Sequence, residues 1–94
     1  MTLSTRDFAK VAYETMVHYA EADPTEEMDV WREFTLRLEQ LYTLHDGLSY
    51  NDITELGTIL NPDIQQSEVE IGHFAWIIDN ALDVALGRDV APSV

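Results

Sequence analysis

Glu70-Ile71-Gly72-His73 sets a carboxylate and an imidazole three residues apart, a spacing that an α-helix converts into two metal ligands on one face. Di-iron carboxylate bundles use this Glu-x-x-His element, but only with a second copy and two further glutamates in the same bundle. Elsewhere the chain offers Glu14, His18 and Glu21 in a different order, so a complete ligand set would need a symmetric dimer. His18 falls on the polar face of the first predicted helix, and His45 ends the second as a capping or boundary residue. Three scattered histidines define no metal site. Nucleophilic chemistry has less to build on: cysteine is absent, and Ser4, Ser49, Ser67 and Ser93 sit at predicted helix caps or in the tail. There is no Gly-x-Gly-x-x-Gly, no Gly-Lys-Ser/Thr phosphate loop and no basic-aromatic stretch for nucleic acid. Carboxylates are so abundant that no pair stands out as a general acid and base. The expectation is a protein that is not an enzyme and carries no cofactor or metal.

A different constellation is more informative. On the last predicted helix the 3.6-residue period aligns Gln65, Glu68, Gly72, Trp76, Asp79 and Asp83 in one polar stripe. Asp79 and Asp83 are about 6 Å apart along the axis and Glu68 to Asp83 spans roughly 22 Å, so the row can present charge at phosphate-like intervals. A tryptophan inside a charged rim fits a binding hot spot, and Glu68, Trp76, Asp79 and Asp83 are the predicted partner-binding residues. The blander reading is that Trp76 lies at the core boundary and the acids form a solvated helix back.

The charge of the whole chain points the same way. Its 94 residues carry a formal charge of −13. Between Leu38 and Gly87 lie Glu39, Asp46, Asp52, Glu55, Asp63, Glu68, Glu70, Asp79 and Asp83, with no lysine or arginine. Such a surface repels nucleic acid and anionic membrane and attracts basic surfaces. Two explanations stand: a salt-rich cytoplasm that favours acidic proteins in general, or a basic partner. Carboxylates on a rigid helix can stand in for phosphates, speed encounter electrostatically and displace a natural polyanion. The expected function is therefore a small acidic inhibitor that occupies the basic nucleic-acid-binding surface of a partner protein or complex. In composition and size, though not in motif, the chain is analogous to phage-encoded inhibitors of the anti-CRISPR and anti-restriction kind. The alternative is an antitoxin, immunity protein or structural subunit that binds through the apolar face of the last helix, and the third reading is a dimeric, ferritin-like metal-carboxylate protein. A second copy of the chain is kept as a partner in these alternatives.

The elements that would position these residues read as an all-α, single-domain bundle of three longer helices and one short one, over residues 5–22, 24–45, 50–60 and 64–86, with a frayed tail at 88–94. An apolar fraction of 46% excludes a disordered acidic tail. Without cysteine or an apolar leader or spanning window, the expected location is cytoplasmic. Ser4 with Asp7, and Ser49 with Asp52, form capping-box pairs, and Leu3 is expected to staple against Phe8. Asp23-Pro24-Thr25-Glu26 is expected to restart a helix with Asp23 as N-cap. Helix one presents Phe8, Ala12, Tyr13, Met16 and Tyr19 on one side and Lys10, Glu14, His18 and Glu21 on the other. Helix two carries a core stripe of Met28, Trp31, Phe34, Leu38, Leu41 and Tyr42 and stops at Asp46-Gly47; on its outer face Glu33 is expected to pair with Arg37, and Asp29 with Arg32. The tyrosines at 13, 19, 42 and 50 are assigned to core packing. Gly57 within helix three signals close packing, Gly87 a C′ residue, and Ile77 and Val84 are expected to extend the buried side of helix four as it packs across the helix one-two hairpin.

Overall fold

Two reciprocal caps start the fold. In the computed structural model, which describes residues 3–20 and 23–87, Ser4 Oγ accepts from the Asp7 N–H at 3.1 Å while Asp7 accepts from the Ser4 N–H at 2.9 Å. Ser49 and Asp52 repeat the arrangement at 3.2 and 2.9 Å. Each box satisfies two amide donors that a helix start leaves without partners. The elements that follow are α1 (Thr5–Thr15), α2 (Met28–His45), α3 (Tyr50–Leu60) and α4 (Glu68–Ala85). The fold is all-α, three longer helices and a shorter one, as the pattern predicts. No helix among the described residues is long and apolar enough to cross a membrane.

α1 packs on α2 and α4, and α3 packs on the same two helices, so the four close a ring around one apolar cluster. α4 thus bridges α1 and α3 rather than lying across the α1–α2 hairpin; it reaches α2 through Phe74, whose ring stands edge-on to Phe34 at 6.2 Å. Both rings are fully buried, as are Met16, Leu38, Leu56 and Ile78. Leu3 and Phe8 are buried in the same cluster. Gly57 earns its place: a Cβ there would lie 2.5 Å from Ile64 Cδ1 and 3.3 Å from Phe74 Cδ2. At the ends, Asp46 takes a left-handed conformation (φ 53°) that stops α2, and Gly87 (φ 75°) follows α4.

The boundaries differ from expectation in three places. Helix one does not run on as α: Met16–Ala20 widens into a π-turn. The buried Thr15 hydroxyl donates to the Val11 carbonyl at 2.7 Å, and the Met16 N–H is shared between the Ala12 and Tyr13 carbonyls, so the regular α ladder is already broken where the π-turn begins. Residues 21–22, assigned to this helix, and the tail at 88–94 lie outside the described residues. Helix two begins at Met28, not at residue 24, because Asp23 Oδ1 accepts from the N–H and hydroxyl of Thr25 and so closes a local turn instead of capping a helix. The last helix splits. Ile64–Gln66 is a 3₁₀ turn, Ser67 is extended, and its hydroxyl caps α4 at the Glu70 N–H (3.2 Å). Gln65 therefore leaves the α4 stripe and donates to Thr58.

Several side-chain placements are corrected too. Met28 is 45% exposed, Tyr50 62% and Val84 67%; all three stand at positions that the packing of neighbouring helices leaves uncovered. Arg37 donates to Glu55 of α3 and to Gln40, not to Glu33, since the closure of α3 on α2 brings the interhelical carboxylate within reach. No Asp29–Arg32 ion pair forms among the described residues. Trp31, expected in the core stripe, is only half-buried and packs at the edge of the cluster: its indole N–H donates to the Ala9 carbonyl at 3.1 Å and its ring meets Tyr13 edge-on.

Candidate binding surface

The capped start of α4 fixes the rotation of the whole helix. Ile71, Phe74, Ile77, Ile78 and Leu82 point into the core, which turns Glu68, Trp76 and Asp79 outward as exposed residues and leaves Asp83 half-buried. The four predicted contact residues therefore share the outer side of one helix. Trp76 is 67% exposed, a surface indole and not a boundary residue of the core. Glu68 and Glu70 lie in the first turn of α4, where negative charge complements the positive end of the helix dipole. Between Glu68 and Trp76, Gly72 is exposed, and a Cβ there would meet nothing within 4 Å.

Packing of α4 on α1 creates a feature that the sequence reading missed. An open groove of about 690 Å³ runs between them. One wall is the polar stripe of α1, Asp7, Lys10 and Glu14, continued by His18 of the π-turn. The opposite side is Trp76, Asn80 and Val84, and Val11, Ile77, Ala81 and Ala85 lie along the same groove. The volume is that of a ligand-sized cleft, mainly apolar with a few polar groups at its edge. Glu14 and His18 approach to 3.2 Å on the α1 wall. At one end the Ser4 N–H and hydroxyl hold the Asp7 carboxyl below its usual range, so this end of the wall keeps its charge into mild acid. The sequence signal was present in part: the polar stripe of α1 was visible, and so were the small residues Ala81 and Ala85, but not that the two face each other.

Near the same groove the π-turn delivers Tyr19 onto α4. Its hydroxyl donates to Glu70 at 3.1 Å and accepts from Asn61 at 3.2 Å, and its ring packs against His73 and Phe74. Burial, reinforced by the neighbouring Glu70 carboxylate against the opposing Asn61 hydrogen bond, raises the pKa of the phenol. The Glu70/His73 pair is thus engaged with Tyr19, and no group of three or more histidine or carboxylate side chains that could hold a metal comes together among the described residues.

Asp52 is the one buried carboxylate among the described residues, 4% exposed. Burial pushes its pKa up, but the Ser49 N–H, His45 Nδ1 at 2.8 Å and the Ser49 hydroxyl outweigh that and hold it below the usual range. This pair ties the end of α2 to the start of α3; its role is structural. No family model, curated protein or solved structure matches the chain.

Proposed function

We propose that this chain is a non-catalytic acidic binding protein that inhibits its partner by occupying a basic surface which otherwise holds nucleic acid. The observation that supports this reading best is the surface indole of Trp76 beside Asp79 and Asp83 on α4, a helix that, like its neighbour α3, contains no lysine or arginine. Burying a large amphipathic ring supplies affinity, while flanking carboxylates supply encounter rate and selectivity for a cationic surface. Gly72 adds to it: glycine inside an exposed helix costs about 1 kcal/mol relative to alanine, and nothing within the fold uses the space. A flat, bare stretch of α4 suits the approach of another chain.

The test is capture of partners from nuclease-treated lysate on the immobilised chain, with elution by a salt gradient or by heparin, a polyanion that competes for basic surfaces. The expected result is a nucleic-acid-handling protein released by heparin and no longer retained by the Asp79→Lys/Asp83→Lys variant, whose helical circular dichroism is unchanged. If the reversal leaves retention intact, the stripe is ordinary surface. A second reading, binding through exposed apolar side chains of α4, is favoured by the exposure of Val69 at 80% and Val84 at 67%. It expects a partner that resists salt and is lost on Val69→Glu.

A further inference from the structure

The α1–α4 groove adds a shape to this acidic surface, and the shape selects among basic partners. Along α1 and the π-turn from Asp7 to His18, and along α4 from His73 to Ala85, the lining spans about 16–18 Å, three turns of an opposing helix. Ala81 and Ala85 leave room where larger side chains would fill the groove, and Val84 and Trp76, each 67% exposed, stand at its edge with their apolar surface in water. Asp7 and Glu14 outnumber Lys10 on the α1 wall, and Asp79 and Asp83 follow Trp76 on the outer side of α4. A second copy of a chain of charge −13 would bring these carboxylates against their equals. An anionic lipid surface would be repelled in the same way. A helix with an apolar row and cationic flanks satisfies both the apolar floor and the charged edges.

Resting on the reading that the partner is basic, we propose that the groove takes an amphipathic cationic helix of that partner. It lies along α1 and α4 as a fifth helix of the bundle. Its apolar side chains, spaced i, i+4, i+7 and i+11, fill the space over Val11, Ile77 and Ala81, its lysines or arginines reach Asp7 and Glu14, and Trp76 covers one side.

Three synthetic 14-residue peptides test this by NMR titration of the isotope-labelled chain: a Leu/Lys helix with leucine at the four anchor positions, the same leucines in a Leu/Glu background, and a Lys/Ser peptide without anchors. The expected result is that Leu/Lys shifts the Trp76 indole and the Ala81, Val84 and Ala85 methyl signals, and binds about tenfold or more tightly than either other peptide, the range of one buried anchor. Val84→Arg, a surface substitution, is expected to remove that advantage with the fold intact in the same spectra. If Lys/Ser binds as well as Leu/Lys, or the Leu/Lys shifts fall only at Glu68, Asp79 and Asp83, the groove is not the site while the acidic reading stands. If Leu/Glu binds as well as Leu/Lys, charge does not select the occupant. If neither cationic peptide binds, both readings fall.

Discussion

Gly57 and Gly72 both lie inside helices and should respond to alanine in opposite directions. Helix propensity alone favours alanine over glycine at an interior position by about 0.5–1 kcal/mol. At Gly72 nothing opposes that gain, because the new Cβ meets no atom within 4 Å. Gly72→Ala should therefore stabilise the chain by about 0.5–1 kcal/mol, which for a domain of this size raises Tm by roughly 4 °C. At Gly57 the same methyl would sit 2.5 Å from Ile64 Cδ1 and 3.3 Å from Phe74 Cδ2, and Ile64 and Phe74 are themselves fully buried. Overpacking of a closed core costs about 1–3 kcal/mol, so Gly57→Ala should lose about 1 kcal/mol net. Because the closest clash is with the terminal methyl of Ile64, Ile64→Val should cost less in the Gly57→Ala background than in the native chain, where loss of a buried methyl costs about 1 kcal/mol. Urea titrations followed at 222 nm on the four variants give all of these numbers. Equal shifts for the two glycine variants would refute the packing assigned to the α3–α4 contact. A loss at Gly72 would refute the open outer face of α4.

Asp52→Ala removes half a capping box and a buried bond to His45, and should cost about 2 kcal/mol at neutral pH. Since the folded-state pKa of Asp52 is depressed, its contribution is complete above the unfolded value of about 3.9 and is lost as pH falls through the folded value. The stability gap between native chain and variant, followed by thermal melts, should thus narrow from pH 7 towards pH 2; a gap independent of pH would show that the carboxylate charge contributes nothing. Tyr19→Phe should remove a phenol that titrates above the ordinary tyrosine range in an absorbance titration at high pH, because burial raises the pKa of Tyr19. Added sodium chloride should raise Tm, as screening over a shorter Debye length relieves the self-repulsion of a chain at −13; a Tm that falls with salt would mean that attractive pairs such as Arg37–Glu55 dominate.

The features legible in the sequence are those set by residues close together along it. The Ser4/Asp7 and Ser49/Asp52 boxes, the stop at Asp46-Gly47 and the glycine after α4 each follow from a handful of adjacent residues. The outward stripe of Glu68, Trp76 and Asp79 follows from helical periodicity. What escaped depends on contacts between distant segments or on competition between two local solutions. Asp23 chose a turn with Thr25 over a helix cap, although both use the same carboxylate. The π-turn at Met16–Ala20 leaves no sign in composition; it accompanies a threonine that bonds backward and a tyrosine anchored on α4. The groove needed the relative placement of α1 and α4, so the polar stripe of α1, visible in the sequence as one side of a surface helix, is also one wall of a cleft.

The four described cations, Arg6, Lys10, Arg32 and Arg37, all stand on α1 and α2, whereas the stretch from Tyr50 to Gly87 has acids alone. The bundle is therefore an electric dipole as well as a net charge. In the field of a cationic body it experiences a torque, and the α3–α4 edge swings to the front before any atom touches. Rotational search shrinks from the whole sphere to a cone, so productive collisions become a larger share of all collisions. Mixing the same carboxylates evenly over the surface would keep the attraction and discard the aim.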